Sequence, residues 1–238
     1  MVPDPRQRLA LALDLDDLVA ALRLAARLRP WFGVAKVGLE LFGAAGPEAV
    51  EALLDEGYRV FLDLKLHDIP TTVGRAARVL GGLGVTYATV HVAGGEAMVR
   101  AAVAGIAEGA AAAGVAGAAD ACVLGVTVLT SESDAPPALL EARAALAASA
   151  GCGGLVCAAA DLAVTRRAAP GLLAVVPGIR PAGTARDDQA RAAGPAEAVA
   201  AGADILVIGR AVTGAADPES AAAAVLADVA AAGAPRRG

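Results

Sequence analysis

Short runs of apolar residues alternate along this chain with longer segments rich in alanine, leucine and arginine. Short apolar runs are typical of buried strands, and the longer segments are typical of helices. The predicted strands are Leu9–Leu13, Gly33–Val37, Val60–Leu64, Ala88–His91, Cys122–Thr127, Gly154–Cys157, Leu173–Val176 and Ile205–Ile208. The predicted helices are Asp17–Leu28, Pro47–Glu56, Thr72–Leu80, Met98–Ala112, Pro137–Ala150, Asp161–Ala169, Ala196–Ala201 and Pro218–Ala231.

Strict alternation of strands and helices predicts parallel βαβ units and places the chain in the α/β class. Eight units within 238 residues favour a (β/α)8 barrel of the TIM type. An open, doubly wound sheet is the alternative. Because no linker or break in composition interrupts the pattern, we expect residues 1–238 to form a single domain. We also expect a short flexible C-terminal tail from about residue 233.

Composition narrows the classes of partner. The net charge is −5, the pI is about 5.1 and aromatic residues make up 3% of the chain, which argues against binding nucleic acid or an anionic membrane over a broad surface. The alanine- and glycine-rich run Gly109–Ala119 is too short to cross a bilayer. The N-terminus lacks the layout of a secretory signal, and the three cysteines have no nearby histidines. We therefore expect reduced core thiols and a cytoplasmic protein.

The third predicted strand leads into an unusually polar stretch, Asp-Leu-Lys-Leu-His-Asp-Ile-Pro-Thr-Thr. Side chains alternate between the two faces of a strand, so Asp63 and Lys65 share one face and the intervening leucines share the other. The leucine face must pack against helices. Asp63 and Lys65 are therefore expected to face the mouth of the barrel, where the active sites of such barrels lie.

Other strand ends carry matching charges. Asp14 directly follows the first predicted strand, Lys36 lies near the end of the second, and Asp68 comes three residues after Lys65. Because unpaired buried charge costs several kcal/mol, we expect these groups to form an alternating network of ammonium and carboxylate groups. A purely structural cluster is the alternative, although buried ion pairs seldom stabilise more than apolar packing does. The chain has only two lysines against eighteen arginines, and lysine, unlike arginine, readily gives up a proton.

The later strand ends suggest a phosphate site. Arg180 and Arg210 follow the seventh and eighth predicted strands, and Gly209 permits close approach to its backbone N–H. The hydroxyl groups between Thr127 and Ser131 suit either a heterocycle or a turn. His91 is interpreted as a lining or core residue, and the role of His67 stays open. No phosphate-binding glycine motif and no His/Cys metal cluster is present in the sequence.

Taken together, these motifs resemble the orotidine 5′-phosphate decarboxylase family over nearly the whole chain and in the same order. The matching residues are Ala-Leu-Asp at 12–14, Lys-Val-Gly at 36–38, Asp-Leu-Lys-Leu-His-Asp-Ile-Pro at 63–70, Leu-Thr-Ser at 129–131, Pro-Gly-Ile-Arg at 177–180, Asp-Gln at 188–189 and Gly-Arg at 209–210. The 63–70 block is highly specific for the family, and the other motifs are individually modest. One departure is Thr71, where the family usually has Asn.

The resemblance implies decarboxylation of orotidine 5′-phosphate to UMP, in de novo pyrimidine biosynthesis, without a cofactor or a metal. It implies that Lys65 donates the proton and that Lys36, Asp63, Lys65 and Asp68 form the catalytic network. The implied substrate-binding residues are Asp14 and Lys36 at the ribose, Asp63 near the reacting carboxylate, Thr130 at the pyrimidine, and Arg180, Gln189, Gly209 and Arg210 at the phosphate. It further implies a homodimer in which Asp68 and Thr72 reach into the neighbouring subunit's site. The segment from Pro181 to Gly194 is the expected lid.

Three other functions remain open on the residues alone. Metal-dependent sugar-phosphate enzymes of the same barrel group, such as hexulose-phosphate synthase and keto-gulonate-phosphate decarboxylase, resemble this chain in their Asp-x-Lys-x-x-Asp core. They carry a metal-binding Glu where this chain has Lys36. Lys65 could instead form a Schiff base, as in barrel aldolases. The chain could also be a non-catalytic nucleotide-binding barrel, which the intact charged network disfavours.

Overall fold

The computed structural model describes residues 4–114, 120–129, 131–132, 135–181 and 193–233. Eight parallel strands form a closed barrel in which each strand pairs with its sequence neighbours and the eighth pairs with the first. The strands are β1 Leu9–Leu13, β2 Val34–Val37, β3 Arg59–Leu66, β4 Tyr87–His91, β5 Cys122–Val126, β6 Gly154–Val156, β7 Leu173–Val176 and β8 Ile205–Ile208. The predicted (β/α)8 barrel is therefore confirmed as a single domain, and the open sheet is excluded.

Helices follow the strands around the outside of the barrel. In the described residues they are α1 Leu18–Leu28, α2 Leu39–Ala45, α3 Pro47–Asp55, α4 Pro70–Gly81, α5 Glu96–Ala113, α6 Pro137–Ser149, α7 Leu162–Ala168, α8 Pro195–Ala200, α9 Arg210–Thr213 and α10 Pro218–Ala232. Local chemistry fixes where several helices begin. The Asp17 side chain accepts a hydrogen bond from the N–H of Ala20 at the start of α1. A proline is the first residue of α3, α4, α6, α8 and α10.

Two of these helices were not predicted, α2 and α9. The first has seven residues and the second four, too few to show a helical period. Both follow strand ends directly, and α9 begins at Arg210, immediately after Gly209. The remaining strands and helices lie close to their predicted positions, with ends that differ by up to two residues for the strands.

Apolar side chains separate into two clusters, one inside the barrel and one between the barrel and its helices. The inner cluster includes Ala12, Phe61, Tyr87, Val126 and Val207. The outer cluster contains the alternate residues of the same strands, and the leucines of β3 belong to it. The inward residues fill the lower part of the barrel and leave the upper, carboxyl end to polar groups.

The strand β3 departs from regular pairing at its carboxyl end. Leu62 pairs with Ala88 of β4, but the next pair joins Leu66 to Val90. Three residues of β3 therefore face a single residue of β4, which is a bulge of the type often found beside active sites. The prediction of a parallel strand here is thus confirmed, but the carboxyl end of β3 is not regularly paired, as strict alternation of its side chains had assumed.

The last helix in the described residues is α10. The helix α10 ends at Ala232, and residues 234–238, on which most of the predicted tail falls, lie outside the described residues. No helix in the described part of the chain has both the length and the apolar character needed to cross a membrane.

Candidate active site

A cavity of about 220 Å³ opens at the carboxyl ends of the strands. Its polar lining comes from Asp14, Lys36, Asp63, Lys65, Arg180 and Arg210. Its apolar lining comes from Ala12, Phe61, Val126, Val128, Leu129, Val156, Pro177 and Val207, with Gly178 and Gly209 supplying backbone. Six of the residues predicted to act at the site thus share one cavity with Gly209, which sequence reasoning also placed there.

Four of the charged groups form an alternating chain across the floor of the cavity. The ammonium of Lys36 donates to Asp14 Oδ1 at 2.8 Å and lies 4.0 Å from Asp63 Oδ2. The ammonium of Lys65 donates to the same Asp63 Oδ2 at 2.8 Å. The order Asp14–Lys36–Asp63–Lys65 alternates in sign and sums to zero, which is how a partly buried group of charges is kept tolerable.

The inner members of this chain are the more buried. The side chains of Lys36 and Asp63 are 10% and 13% exposed, whereas those of Lys65 and Asp14 are 29% and 57% exposed. Lys65 therefore reaches open space in the cavity while its partner Asp63 stays enclosed. Removing either inner charge would leave the group of four with a net charge of one unit.

A glycine makes room for the outer pair. A Cβ at Gly38 would lie 2.9 Å from Lys36 Nζ and 3.1 Å from Asp14 Oδ1. Both distances are shorter than ordinary van der Waals contacts, so a larger residue would displace the Lys36–Asp14 pair. The Lys-Val-Gly motif is thus explained by packing around the ammonium.

Backbone conformation sets the direction of Lys65. It is the one non-glycine residue in the described residues with a positive φ, at 51°. This left-handed conformation costs a lysine about 1 kcal/mol or more, so surrounding contacts must hold it. One such contact is Thr89 of β4, whose hydroxyl accepts from the Lys65 N–H at 2.8 Å and donates to Asp63 Oδ1 at 2.9 Å.

Sequence reasoning missed Thr89, although a signal for it was present. In β4 the outward residues Ala88 and Val90 belong to the outer cluster, so Tyr87, Thr89 and His91 point inward by alternation. A hydroxyl on the inner face of the strand next to β3 had to lie near Asp63. The apolar lining was also missed, since single valines carry no chemical signal.

Asp68 and Thr72 are placed differently from the four clustered charges. Both are exposed, and neither lines the cavity of its own chain. The Asp68 carboxylate accepts from the N–H of Ile69 at 2.6 Å. The expectation that Asp68 converges on the same mouth as Lys65 is therefore not met within one chain, because β3 ends at Leu66 and the backbone turns outward into α4.

At the other side of the cavity lie the two arginines that follow β7 and β8. The Arg180 N–H donates to the carbonyl of Ala193 at 2.9 Å, and its guanidinium donates to the carbonyl of Ile179 at 3.0 Å. Gly209 immediately precedes Arg210 and α9. The structure thus brings Arg180, Gly209 and Arg210 to one cavity. Thr130, Gln189 and most of the predicted lid lie outside the described residues.

The two histidines of the chain lie side by side at the rim of the network. Their ring centroids are 5.4 Å apart, and neither ring lines the cavity. Burial lowers the pKa of His91, and the nearby His67, Lys65 and Arg143 lower it further, while Asp63 acts in the opposite direction. His91 is therefore a partly buried residue beside the network, and its lowered pKa favours its neutral form.

The described residues contain neither a group of metal ligands nor a disulfide. Within the described residues, no three His, Cys, Asp or Glu side chains are grouped so as to hold a metal ion. None of the three cysteines is joined in a disulfide, and two of them are buried, in line with the predicted reduced core thiols.

A closed parallel barrel with a charge-lined cavity at the carboxyl ends of its strands has the architecture of the (β/α)8-barrel enzymes. Comparison with known proteins defines the family. A family model described as orotidine 5′-phosphate decarboxylase / HUMPS family matches residues 7–225. The chain therefore belongs to this family, and the resemblance found in its motifs is confirmed.

Individual relatives agree with the family model. An orotidine 5′-phosphate decarboxylase of Anaeromyxobacter sp. (strain K) is 48% identical over 94% of this chain and 98% of its own length. That of Halorhodospira halophila is 47% identical over 98% and 99% of the two chains. The crystal structure of the Lactobacillus acidophilus enzyme of the same name superposes with a TM-score of 0.79 and 33% identity, covering 94% of this chain and 99% of the other.

Proposed function

We propose that this protein decarboxylates orotidine 5′-phosphate to UMP, as a carboxy-lyase of pyrimidine biosynthesis. The observation that carries the proposal is the Lys65 ammonium, which is held at 2.8 Å by Asp63 and faces a cavity that also holds Arg180 and Arg210. A proton donor and a phosphate-binding pair in one cavity fit this substrate. The relatives that are 47–48% identical over most of the chain carry the name of this activity.

The proposed reaction breaks the bond between C6 of the pyrimidine and its carboxylate. The bonding electrons stay on C6, CO₂ leaves, and the Lys65 ammonium transfers a proton to C6. The lysine amine then regains a proton from water. Because the C6 carbanion lies in the plane of the ring, the π system does not delocalise it, and stabilisation comes from the preorganised positive charge of Lys65. The proposed reaction uses no cofactor.

Asp63 serves two purposes in this scheme. Its Oδ2 atom fixes the Lys65 ammonium, and its side chain is enclosed at the floor where the substrate carboxylate would enter. Crowding of two negative charges is relieved when CO₂ departs, while the carbanion gains the adjacent ammonium. The larger part of the benefit is assigned to the fixed ammonium, because transition-state charge is stabilised most by groups that need no reorganisation.

Remote groups hold the rest of the substrate. We assign the phosphate to Arg180, Arg210 and the Gly209 N–H, together with Gln189, and the ribose hydroxyls to Asp14 and Lys36. The pyrimidine is assigned to Thr130 and the apolar lining around Val126 and Val156. Guanidinium groups suit phosphate oxygens in geometry and charge. Binding energy gained there is available to drive closure of the segment after β7 over the reacting carbon.

A second subunit completes the proposed site. Residues 67–72 are all exposed in the single chain, and this run contains Asp68 and Thr72. Ile69 in the same run and Leu39 at the start of α2 are each 65% exposed, which is unusual for large apolar residues. We propose a homodimer in which Asp68 and Thr72 enter the neighbouring site. We also propose a cytoplasmic location, which suits three cysteines that form no disulfide.

The family model also covers a second branch, and Lys36 is the residue that separates the two. The related sugar-phosphate enzymes place a metal-binding Glu at this position. Here the Lys36 ammonium lies between Asp14 and Asp63. A fixed positive charge repels a divalent cation at the carboxylates that would bind it, so the decarboxylase branch is favoured.

The test is a direct assay of the purified protein. Mixing it with orotidine 5′-phosphate in excess EDTA is expected to abolish the orotidylate absorbance and to yield UMP. If absorbance stays constant while UMP still binds, the protein is a nucleotide-binding barrel without this activity. If turnover requires a divalent cation or leaves a borohydride-trapped adduct on Lys65, the mechanism belongs to one of the two alternative enzyme classes.

A further inference from the structure

The hydroxyl of Thr89 links the two residues of β3 that carry the proposed chemistry. It accepts a hydrogen bond from the Lys65 backbone N–H at 2.8 Å and donates to Asp63 Oδ1 at 2.9 Å. The side chain is enclosed, with the residue only 2% exposed. Neither bond belongs to the regular strand ladder, so both depend on this one hydroxyl.

The direction of the hydroxyl proton follows from its two partners. The Lys65 N–H can only donate, and an ionised carboxylate can only accept. The Thr89 oxygen must therefore receive the first bond and give its own hydrogen to Asp63. Because valine and alanine lack the hydroxyl, neither can reproduce this pair of bonds.

The bonds close a loop that begins and ends at Lys65. From the Lys65 N–H the loop passes through Thr89 to Asp63 Oδ1, and from Asp63 Oδ2 it returns to the Lys65 ammonium at 2.8 Å. The two oxygens of Asp63 are thus divided between the threonine and the ammonium. Rotation of the carboxylate would break both contacts, so the threonine fixes which oxygen faces Lys65.

This closed set of hydrogen bonds lies at the irregular end of β3. The bulge places three residues of β3 opposite Thr89, and the last of them, Lys65, has its φ at 51°. A lysine in the left-handed region returns to the extended region unless a contact prevents it. In the extended conformation the Lys65 side chain would leave the backbone in a different direction from the one that now brings its ammonium to the cavity.

We infer that Thr89 is a positioning residue of the active site, which holds the Lys65 backbone and the Asp63 carboxylate so that the ammonium is aimed at the reacting carbon. The inference rests on the proposed function, in which Lys65 is the proton donor. Thr89 does not line the cavity and acts only through its two partners. Its loss should therefore affect the chemical step and spare phosphate binding.

Three variants separate positioning from simple packing. Thr89→Val keeps the shape and removes the hydroxyl, and it is expected to lower kcat about 100-fold while UMP binds within threefold of the wild-type affinity. Thr89→Ser keeps the hydroxyl and is expected to restore kcat to within fivefold of wild type. Thr165→Val is the matched control, since it removes another buried hydroxyl, which donates to the backbone carbonyls of Asp161 and Leu162 at the start of α7, and it should leave kcat unchanged.

A measurement independent of turnover is available because the chain has only two lysines. Selective ¹⁵N-lysine labelling gives two backbone amide signals, those of Lys36 and Lys65, which Lys36→Arg assigns. In Thr89→Val the Lys65 amide is expected to exchange with solvent at least tenfold faster than in wild type, with Lys36 in β2 as the internal reference. If Thr89→Val does not fold, Thr89→Ala replaces it in both measurements.

The outcomes distinguish failure of this inference from failure of the proposed function. A Thr89→Val enzyme with kcat within threefold of wild type, or an unchanged Lys65 amide, would overturn the positioning role. Equal losses in Thr89→Val and Thr89→Ser would also overturn it, because the hydroxyl would then be irrelevant. Wild-type protein that leaves orotidine 5′-phosphate intact would refute the proposed function, whereas the amide measurement would still report on the Thr89–Lys65 bond.

Discussion

Lys65 and Asp63 lie two residues apart on β3, and the ammonium of one donates to the carboxylate of the other at 2.8 Å. In a regular strand this pair would only share a face. Here the bulge and the positive φ of Lys65 bring the two side chains together at the floor of the cavity. A lysine placed in this way can both stabilise negative charge on a substrate carbon and protonate it.

Replacing Lys65 tests this assignment. Lys65→Ala is expected to lower kcat at least about 10⁴-fold, because it removes both the proton donor and the nearest positive charge. The affinity for UMP should stay within about fivefold of wild type, since the residues assigned to the phosphate are unchanged. Lys65→Arg keeps the charge beside Asp63 but does not release a proton readily, so it should be equally inactive and more stable than Lys65→Ala. Turnover within tenfold of wild type in either variant would refute the role.

Replacing Arg210 tests the phosphate site. Arg210→Ala is expected to raise KM for orotidine 5′-phosphate by about tenfold to a thousandfold, as the loss of a charge-assisted contact implies. Steady-state kinetics measures this, with Arg27→Ala as the control, since Arg27 forms an exposed pair with Glu219 and neither residue lines the cavity. An unchanged KM would contradict the assignment of Arg210 to the phosphate.

Sequence patterns predicted the architecture well because each strand is a short apolar run between clear helical segments. The bounds of β1, β7 and β8 agree with the prediction to the residue. The short helices α2 and α9 were missed, because a period of 3.6 residues cannot be recognised in one or two turns. The bulge in β3 was missed for a different reason, since Asp-Leu-Lys-Leu reads as perfect alternation and nothing in it signals a left-handed lysine.

The sequence predicted the site residues that are charged and lie at strand ends. It did not predict the contacts that depend on how neighbouring strands pack. Asp14, Lys36, Asp63 and Lys65 are charges at strand ends, and topology alone brings them together. Asp68 carries the same signal but lies past the end of β3, where the outward turn could not be read. Thr89 is a common residue type in an apolar strand. Alternation places it on the inner face, but the hydrogen bond to Asp63 is seen only in the structure.

Contact between α4 and α5 depends on glycine. A Cβ at Gly109 of α5 would overlap the carbonyl oxygen of Arg78 of α4, so the two backbones touch there. Gly109→Ala is expected to lower the free energy of unfolding by about 1–3 kcal/mol, because the helices must separate. Urea denaturation measures the change.

A second glycine provides the control for that measurement. Gly43 lies in α2, is exposed and has open space around its Cβ position. Gly43→Ala should raise the free energy of unfolding by about 0.5–1 kcal/mol through helix propensity alone. Equal effects at the two sites would show that the close approach of α4 and α5 does not limit residue size.

Thiol reactivity offers a test of burial. Burial raises the pKa of Cys122 to about 11 and that of Cys152 to about 12. At pH 8 only about one Cys122 thiol in a thousand is then ionised, and the thiolate is the reactive form. Iodoacetamide should label native Cys122 about two orders of magnitude more slowly than free cysteine, and label it fully after unfolding. Mass spectrometry of digested protein measures this, and labelling of native Cys122 at the free-thiol rate would contradict the prediction.

The lowered pKa of His91 predicts how the free energy of unfolding depends on pH near neutrality. Its pKa is lowered in the folded protein, first by burial and then by His67, Lys65 and Arg143. The unfolded chain therefore takes up a proton at about pH 6.5, before the folded protein does. Stability should be full above that pH and fall as pH decreases from about 6.5 toward the lowered pKa of folded His91. Urea denaturation at pH 7.5, 6.5 and 5.5 measures the slope above the range in which most carboxyl groups titrate.

The variant His91→Gln isolates this contribution. Glutamine does not titrate and keeps a polar side chain beside His67, so the free energy of unfolding should depend less on pH between 7.5 and 5.5 than in wild type. Between pH 7.5 and pH 5.5 wild type should lose more unfolding free energy than His91→Gln does, because only wild type takes up a proton at this position on unfolding. An identical pH dependence in both proteins would show that the titrating group lies elsewhere.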